Sequence, residues 1–480
     1  MKLLLEKPVQ ESFVRVSCAR IGTIDMAGMN KGIVDDLLCH GRVYEVGGCV
    51  RDALLGDDIE CKDRDYLVTG IPLADLVVIL KKHGYVDQVG RSFGVLKFSP
   101  RAHDGGENIT FDVALPRKEI STGSAHRDFD VDFDHSIPIE DDLLRRDFTI
   151  NAMARDLQTG ELIDPFDGQL DLKNHLLKMI KPRCFEEDPL RVLRGVQFAS
   201  RFDLRIEDET FEAMKRYSDR ITTVSPERIS EELTKLLTRS KKPSTGFSIM
   251  RDIGMLKLVL PELEETIGVT QPGGYHAHNV FEHLLATVDA VKPTLRLRWA
   301  ALLHDITKPL TKQESEDKAT FYGHESSGAR IASRILGRLR YSNEVIRDVK
   351  TLIERHMFVV PPTDKGLRRL IRKTGVNLIF DLLDLRRADV VGQGMGNTTE
   401  DIDEFEARIR AELDRKPPFS VNDLEIGGKE VMEVFGIPES PKVGDILTHL
   451  LELVLDYPEK NEKEILIEAV KDYLHSEETR

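Results

Sequence analysis

Cysteine is scarce in this 480-residue chain. The five present, Cys18, Cys39, Cys49, Cys61 and Cys184, are odd in number, widely spaced and contain no CxxC pair. That pattern excludes a disulfide framework and a structural zinc site, so a cytoplasmic, reducing compartment is expected. Long apolar runs are also missing. The longest are four or five residues, far short of the ~20 that a membrane helix needs. The Leu run after Met1 meets Glu6 and Lys7 at once, so the first residues lack the apolar stretch of a secretory signal. An excess of positive charge is absent too: Lys plus Arg total 68 against 83 Asp plus Glu, a balance of −15 that confines any RNA contact to local patches. Low-complexity tracts and fixed-period repeats do not occur. With 40% hydrophobic residues the composition is globular, and the length predicts about three domains.

The texture changes near residue 185. Before it, short β-rich runs (Val43 to Val46, Asp65 to Val68, Val95 to Phe98, Ile109 to Ala114) alternate with helical stretches, as in a mixed sheet carrying helices. After it, Leu190 to Phe202, Ser225 to Leu237, Glu282 to Val291 and Leu295 to His304 repeat apolar residues at helical spacing. The expected fold is α+β, a small head on a long helical body.

Three features of the head carry chemistry. Val43 to Asp52 reads as a strand, a Gly47-Gly48 turn and a helix ending near Gly56; backbone N–H groups at such a turn cradle phosphate, and Arg51 adds a charged fork. A bare turn needing positive φ is the simpler reading of two glycines alone. Asp63 and Asp65, two apart at a strand start, point to one face, where they repel unless a cation intervenes. Asp112 lies in the otherwise apolar run Ile109 to Ala114, where an unpaired carboxylate is costly. Magnesium takes such oxygen ligands together with substrate phosphates, and ions ~3.5–4 Å apart clamp the attacking and leaving oxygens of phosphoryl transfer.

These residues, with Arg145-Arg146-Asp147-Phe148-Thr149-Ile150-Asn151-Ala152 and Glu187-Asp188-Pro189-Leu190-Arg191-Val192-Leu193-Arg194, resemble the class II tRNA nucleotidyltransferases, the CCA-adding enzymes and their bacterial poly(A) polymerase relatives. The resemblance implies a polymerase-β-like nucleotidyltransferase head. Asp63, Asp65 and Asp112 would be catalytic, with Mg2+ on the first two. Gly47, Gly48 and Arg51 would hold the triphosphate, and Arg117 and Asn151 would contact the nucleotide. Arg146 and Asp147 would select ribose, although Asp147 is also a good N-cap for a following helix. Asp188, Arg191 and Arg194, spaced i, i+3 and i+6 on one helix side, would present a carboxylate and guanidiniums to base edges, Asp188 and Arg191 acting as a protein template. The polar stretch Ser121 to Phe133 sits where the family carries its switching loop. The partners implied are tRNA, CTP and ATP, with no membrane and no expectation about oligomeric state. Basic residues are dense from Lys178 to Lys242, as a phosphate track requires, and again from Lys365 to Lys373, which reads as surface.

Further on, His283, His304-Asp305, His324, His356 and Asp389 resemble the HD phosphohydrolase superfamily. The resemblance implies one divalent ion at His283, His304, Asp305 and Asp389, and a second held by His324 and His356. The divisions expected are an extension 1–41, a head 42–180, a helical neck 181–270 contacting base and RNA, an HD domain 271–395 and a helical tail 396–480. Addition of CCA to tRNA is the first expectation. Poly(A) polymerase is the nearest alternative, weakened because only Arg91 is basic after Gly90. CC-only or A-only addition shares these motifs. An HD phosphohydrolase with an RNA-binding head is the alternative of another class, disfavoured by intact Asp63 and Asp65.

Overall fold

A computed structural model describes residues 29–56, 64–88, 94–101, 110–121, 129–272, 277–315, 318–361 and 363–478. The chain divides into two units, Met1–Gln169 and Leu170–Arg480. Expectations on Asp63, Arg91 and the centre of the switching loop, 122–128, fall outside the described residues.

Among the described residues the first unit has nine strands: β1 (Arg42–Val46), β2 (Asp65–Thr69), β3 (Gly84–Gln88), β4 (Val95–Pro100), β5 (Phe111–Ala114), β6 (Arg117–Ser121), β7 (Phe129–Phe133), β8 (Ala154–Asp156) and β9 (Leu162–Ile163). Seven of them form one mixed sheet in the order β3-β4-β5-β2-β1-β8-β9, while β6 and β7 pair as a hairpin. Only β2 and β5 run parallel; the other neighbours are antiparallel. Four helices accompany them, α1 (Lys31–Leu38), α2 (Gly48–Leu54), α3 (Leu73–His83) and α4 (Ile139–Leu144).

Alternation along the strands decides which face is core. Ile33, Val34 and Leu37 of α1 and Leu76, Ile79 and Leu80 of α3 bury against Val43, Tyr66, Val68, Phe98, Phe111 and Val113. Each such side chain contributes ~1.5–3 kcal/mol by leaving water. Register then places the intervening residues on the opposite face. Asp65 pairs with Asp112, and Asp112 with Lys97, so these three form one row across β2, β5 and β4.

The second unit is mostly helical, and its two-residue strands Leu176–Leu177 and Arg205–Ile206 pair in parallel. The helical windows expected from periodicity appear as Leu190–Phe202, Pro226–Arg239, Val280–Ala290 and Leu295–Leu303. Trp299, fully buried, meets Tyr341 edge to face at 5.6 Å, and the Tyr341 hydroxyl donates to the Ser230 carbonyl at 2.9 Å. No helix among the described residues is long and apolar enough to cross a membrane.

Two local expectations change. No α-helix follows Asp147; instead a single 3-10 turn, Thr149–Asn151, leads into β8, and β8 pairs with β1. Pairing with β1 satisfies that backbone better than a short helix would. Asp188 does not share a helix with Arg191 and Arg194, because its extended backbone precedes the helix Leu190–Phe202. Pro189 accounts for this, since it biases the residue before it away from helical angles.

The basic stretch 365–373 lies on the helix Asp364–Thr374 and is consumed by the tail. Buried Arg368 donates to Glu412 at 2.7 Å and to the carbonyls of Leu455 (2.6 Å) and Asp456 (3.3 Å). Arg369 and Arg372 both pair with Glu452. Arg368→Met should leave Glu412 buried without its cation, a loss of about 3 kcal/mol. Hydrogen exchange over Pro441–Asp456 should then accelerate ~100-fold, and Arg368→Met/Glu412→Leu should restore most of the protection. Unchanged exchange in the single variant would refute the anchoring role.

Candidate functional sites

In the head the glycine turn and the acidic row converge. Gly47 caps α2 at φ 74, a conformation that favours glycine, and its N–H donates to the Met153 carbonyl at 3.1 Å. Cys49, in the first turn of α2, accepts the Asp65 N–H at 3.4 Å, which ties the start of β2 to that turn. Strand spacing sets Asp65 and Asp112 side by side, ~4.8 Å apart along the hydrogen-bonding direction. Asp65 is exposed, and Asp112 retains 41% of its side-chain exposure with Lys97 Nζ 3.3 Å from its Oδ1. Adjacent carboxylates on one face of the sheet suit a divalent cation. Sequence reading missed Lys97, since its relation to Asp112 exists only through the β4–β5 register.

The wall beside the turn is a network of arginines and acids. Buried Arg51 donates to the Asn151 side-chain oxygen and, at 2.8 and 2.6 Å, to Asp52. Asn151 Nδ2 donates to Asp147 Oδ1 at 3.0 Å, and that oxygen also accepts the Phe148 N–H at 2.8 Å. Asp147 is therefore not an α-helix N-cap but the acceptor that fixes the turn bearing Asn151. Arg146 reaches the Asn151 carbonyl at 3.3 Å, and its Nη1 lies 2.6 Å from where a Cβ on Gly47 would stand.

Behind these residues stands Asp142, a carboxylate with no exposure and no place among the expected site residues. Its Oδ1 meets Arg145 Nη2 at 2.7 Å and Nε at 2.8 Å and accepts the Arg117 N–H at 3.3 Å; its Oδ2 meets Arg146 at 3.2 Å. Burial pushes the Asp142 carboxyl up, but Arg146 and Arg145 outweigh it and hold it below the ordinary range. Burial lowers Arg145 to about 10 against the pull of Asp142. The signal in the sequence was the spacing of Asp142 to Arg145 and Arg146 at i+3 and i+4.

In the second unit Asp188 Oδ1 accepts the Leu190 N–H at 3.1 Å and Oδ2 accepts from Arg228 at 2.7 Å. Arg191 contacts Glu187 and the Cys184 carbonyl, both at 3.3 Å, and Arg194 lies over Phe198 with Glu232 at 3.9 Å. These residues sit near one another but are engaged with protein partners. Within the basic stretch 178–242, Lys178, Lys181, Arg205 and Lys235 also pair with acids.

The six expected HD residues do meet. His283, His304, Asp305, His324, His356 and Asp389 are all buried. Nδ1 of His304, His324 and His356 each donates to the carbonyl three residues earlier, Ala301 (2.9 Å), Phe321 (2.6 Å) and Ile353 (2.7 Å). That bond commits the Nδ1 proton and points Nε2 inward. His283 Nε2 lies 3.1 Å from His304 Nε2 and 3.3 Å from both Asp305 Oδ2 and Asp389 Oδ1. Across Asp305, its Oδ1 faces His324 Nε2 at 3.2 Å and His356 Nε2 at 3.8 Å. That buried oxygen has no hydrogen-bond donor among the described residues.

Lone pairs converging on an undonated carboxylate oxygen are unstable in a low-dielectric interior unless cations fill the gaps, so the residues fit divalent metal. Two groups offer ligand atoms within 4.8 Å, His283/His304/Asp389 and His304/Asp305/His356. Burial lowers His304, but Asp305 and Asp389 overcome it and push it up to about 10; burial, reinforced by His304, pushes His356 down to about 3. Lys308, 2.6 Å from Asp305 Oδ2 and also bonded to Gln271, is a neighbour the sequence did not disclose. Gly392 allows the close helix crossing, because a Cβ there would stand 2.3 Å from Thr287 Oγ1.

Three segments of the chain match known protein families. Residues 43–178 match the Poly A polymerase head domain, 203–267 the probable RNA and SrmB-binding site of polymerase A, and 274–392 the HD domain. The fold is similar to the Bacillus stearothermophilus CCA-adding enzyme in complex with CTP, at 22% identity over 93% of this chain and 97% of that one, TM-score 0.66. It is also similar to the Thermotoga maritima CCA-adding enzyme complexed with tRNA (23%, 92% and 93%, TM-score 0.50) and to a CCA-adding enzyme complexed with ATP (20%, 92% and 93%, TM-score 0.51). Head and glycine turn thus define a nucleotidyltransferase. Together with the RNA-binding and HD segments, these matches support a class II tRNA nucleotidyltransferase with an HD domain.

Two measurements bear on these sites. Dialysis against manganese, nickel or magnesium should leave about two ions per chain and raise the unfolding midpoint, as binding to the native state alone requires. Asp305→Asn should abolish that retention, whereas Asp112→Asn should not; equal metal content in wild type and Asp305→Asn would refute the HD centre. At Asp188, burial is outweighed by the Arg228 hydrogen bond, so its carboxyl lies below the ordinary value. Its stabilising contribution is complete above pH ~3.9 and is lost as pH falls through the lowered value. The difference in urea midpoint between wild type and Asp188→Asn should therefore be largest at neutral pH and vanish in strong acid.

Proposed function

We propose that this enzyme builds or repairs the 3′-terminal CCA of tRNA from CTP and ATP in the cytoplasm, releasing pyrophosphate. The observation that carries this reading is the placement of Asp65 and Asp112 as strand neighbours on the open sheet face, tied through Cys49 to the Gly47-Gly48 turn. Magnesium would be held by Asp63 and Asp65, with Asp112 as the third catalytic acid, and would supply positive charge that favours attack of the RNA 3′-hydroxyl on the α-phosphate and departure of pyrophosphate. The chain's own groups do the rest. Gly47 and Gly48 offer backbone to the triphosphate, with Arg51 lending charge from behind and Arg117 contacting the nucleotide. Arg146 and Asp147, braced by Asn151, recognise the ribose. Asp188, Arg191 and Arg194 exchange their protein partners for the base edge, the first two as template. The neck at 181–270 follows the RNA backbone, the HD domain spans 271–395 and the tail 396–480. His283, His304, Asp305, His324, His356 and Asp389 would hold divalent metal in the HD centre, which would supply Lewis-acid chemistry for hydrolysis of phosphate esters.

Support comes from the head match at 43–178 and from solved CCA-adding enzymes of like fold in complexes with CTP, ATP and tRNA. The test offers tRNA ending before C, after C and after CC, with CTP, ATP or both. Extension should stop at the completed CCA, and Asp112→Asn should lower it at least ~100-fold, as loss of a group stabilising transition-state charge does. Ladders of A on any RNA would instead establish a poly(A) polymerase, and growth on one end alone a partial adding enzyme. Turnover of bis-p-nitrophenyl phosphate that survives His304→Ala would remove the HD assignment.

A further inference from the structure

The Arg146 guanidinium does not choose its own position. Its Nε–H is buried and has no acceptor among the described residues, a loss of roughly 1–3 kcal/mol that an unconstrained side chain would avoid by turning. Contacts on two sides impose the pose: Asp142 Oδ2 at 3.2 Å on one, and on the other the Asn151 carbonyl at 3.3 Å, where the guanidinium also takes the space a Cβ on Gly47 would need. Arg145 and Arg146 follow α4 directly, and the same carboxylate grips both. It also receives the N–H of Arg117, the first residue of β6, whose hairpin partner β7 closes the polar stretch Ser121 to Phe133. One anchor thus serves both arginines after α4 and the start of β6.

We propose that Asp142 is the positioning residue of the nucleotide site: its buried carboxylate fixes the Arg146 guanidinium against the Gly47 turn and ties the Arg117 strand to the same point, so that selection of ribose depends on a group that never touches nucleotide. The proposal rests on the assignment of Arg146 and Asp147 to the ribose. Asp142 holds Arg146 by charge and by geometry together. A lysine at 146 would keep the charge and lose the fork, and an asparagine at 142 would keep the shape and lose the charge. Arg145 keeps its bonds to Asp142 in the first case, so the wall survives while the pose of residue 146 relaxes.

The test measures binding of MgCTP and MgdCTP to the full-length protein, together with chain extension using each. Asp142→Asn should weaken MgCTP roughly tenfold and bring the CTP to dCTP preference to within about twofold, the scale of one lost charge-assisted contact. Arg146→Lys should lose the preference similarly. Asp142→Asn/Arg146→Lys should be no worse than the worse single variant, because both act through one contact. Asp142→Glu, one methylene longer, should recover part of the preference. A folded Asp142→Asn that discriminates like wild type overturns the proposal, and so does additivity in the double variant. Should Asp142→Asn fail to fold, retained preference in Arg146→Lys overturns it as well. Wild type that binds CTP and dCTP alike would instead sink the ribose assignment, and wild type that prefers CTP yet extends no tRNA would sink the CCA reading while leaving the positioning role standing.

Discussion

A carboxylate taken out of water must be met by positive charge, and the functional parts of this protein are arranged around that demand. Asp142, wholly buried, is met by two guanidiniums and a backbone N–H. Asp305, equally buried, is met on one oxygen by Lys308 and faces only imidazole lone pairs on the other. Asp65 and Asp112 escape desolvation by lying on the open face, where Lys97 lies 3.3 Å from Asp112. The protein satisfies Asp142 itself, whereas the second oxygen of Asp305 is placed where a cation would complete it.

The two units answer this demand with different architecture. In the head a pleated sheet sorts side chains by parity, so one face packs on α1 and α3 while the other carries the acidic row. In the helical unit no such sorting exists, and the HD centre is assembled from helix ends. His304 and His356 terminate their helices, His324 begins one, and each ring is turned inward by a carbonyl three residues back. Helix ends present carbonyls that need donors, and imidazole N–H groups fill that need while aiming the opposite nitrogen at the centre. The same economy appears where Arg368 takes the last carbonyls of the tail helix.

Much of the fold was legible beforehand. Four strands of the head and four helices of the body lie where periodicity put them, because amphipathic patterns record which face is buried. The segment after Asp147 was misread, since a 3-10 turn and a three-residue strand are too short to leave a period. Asp188 was misplaced by a spacing argument that ignored the proline after it. Asp142 escaped notice because a charged residue at the start of a short helix looks solvated until packing buries it. The HD residues were identified by their order along the chain, but their distances could not be.

What the linear chain determined by itself is chemical type: two aspartates around a strand start, a glycine pair before a helix, and histidines and aspartates in a recurring order. Local physics suffices for those, because chain geometry sets turn, helix and strand within a few residues. Only the tertiary structure decided partners. The Asp65 to Asp112 neighbourhood spans a parallel strand pair, the Lys97 contact crosses another strand, and Asp305 faces histidines from separate helices. Such pairings join residues far apart in the chain, and register and packing of the whole core, not any local preference, select them.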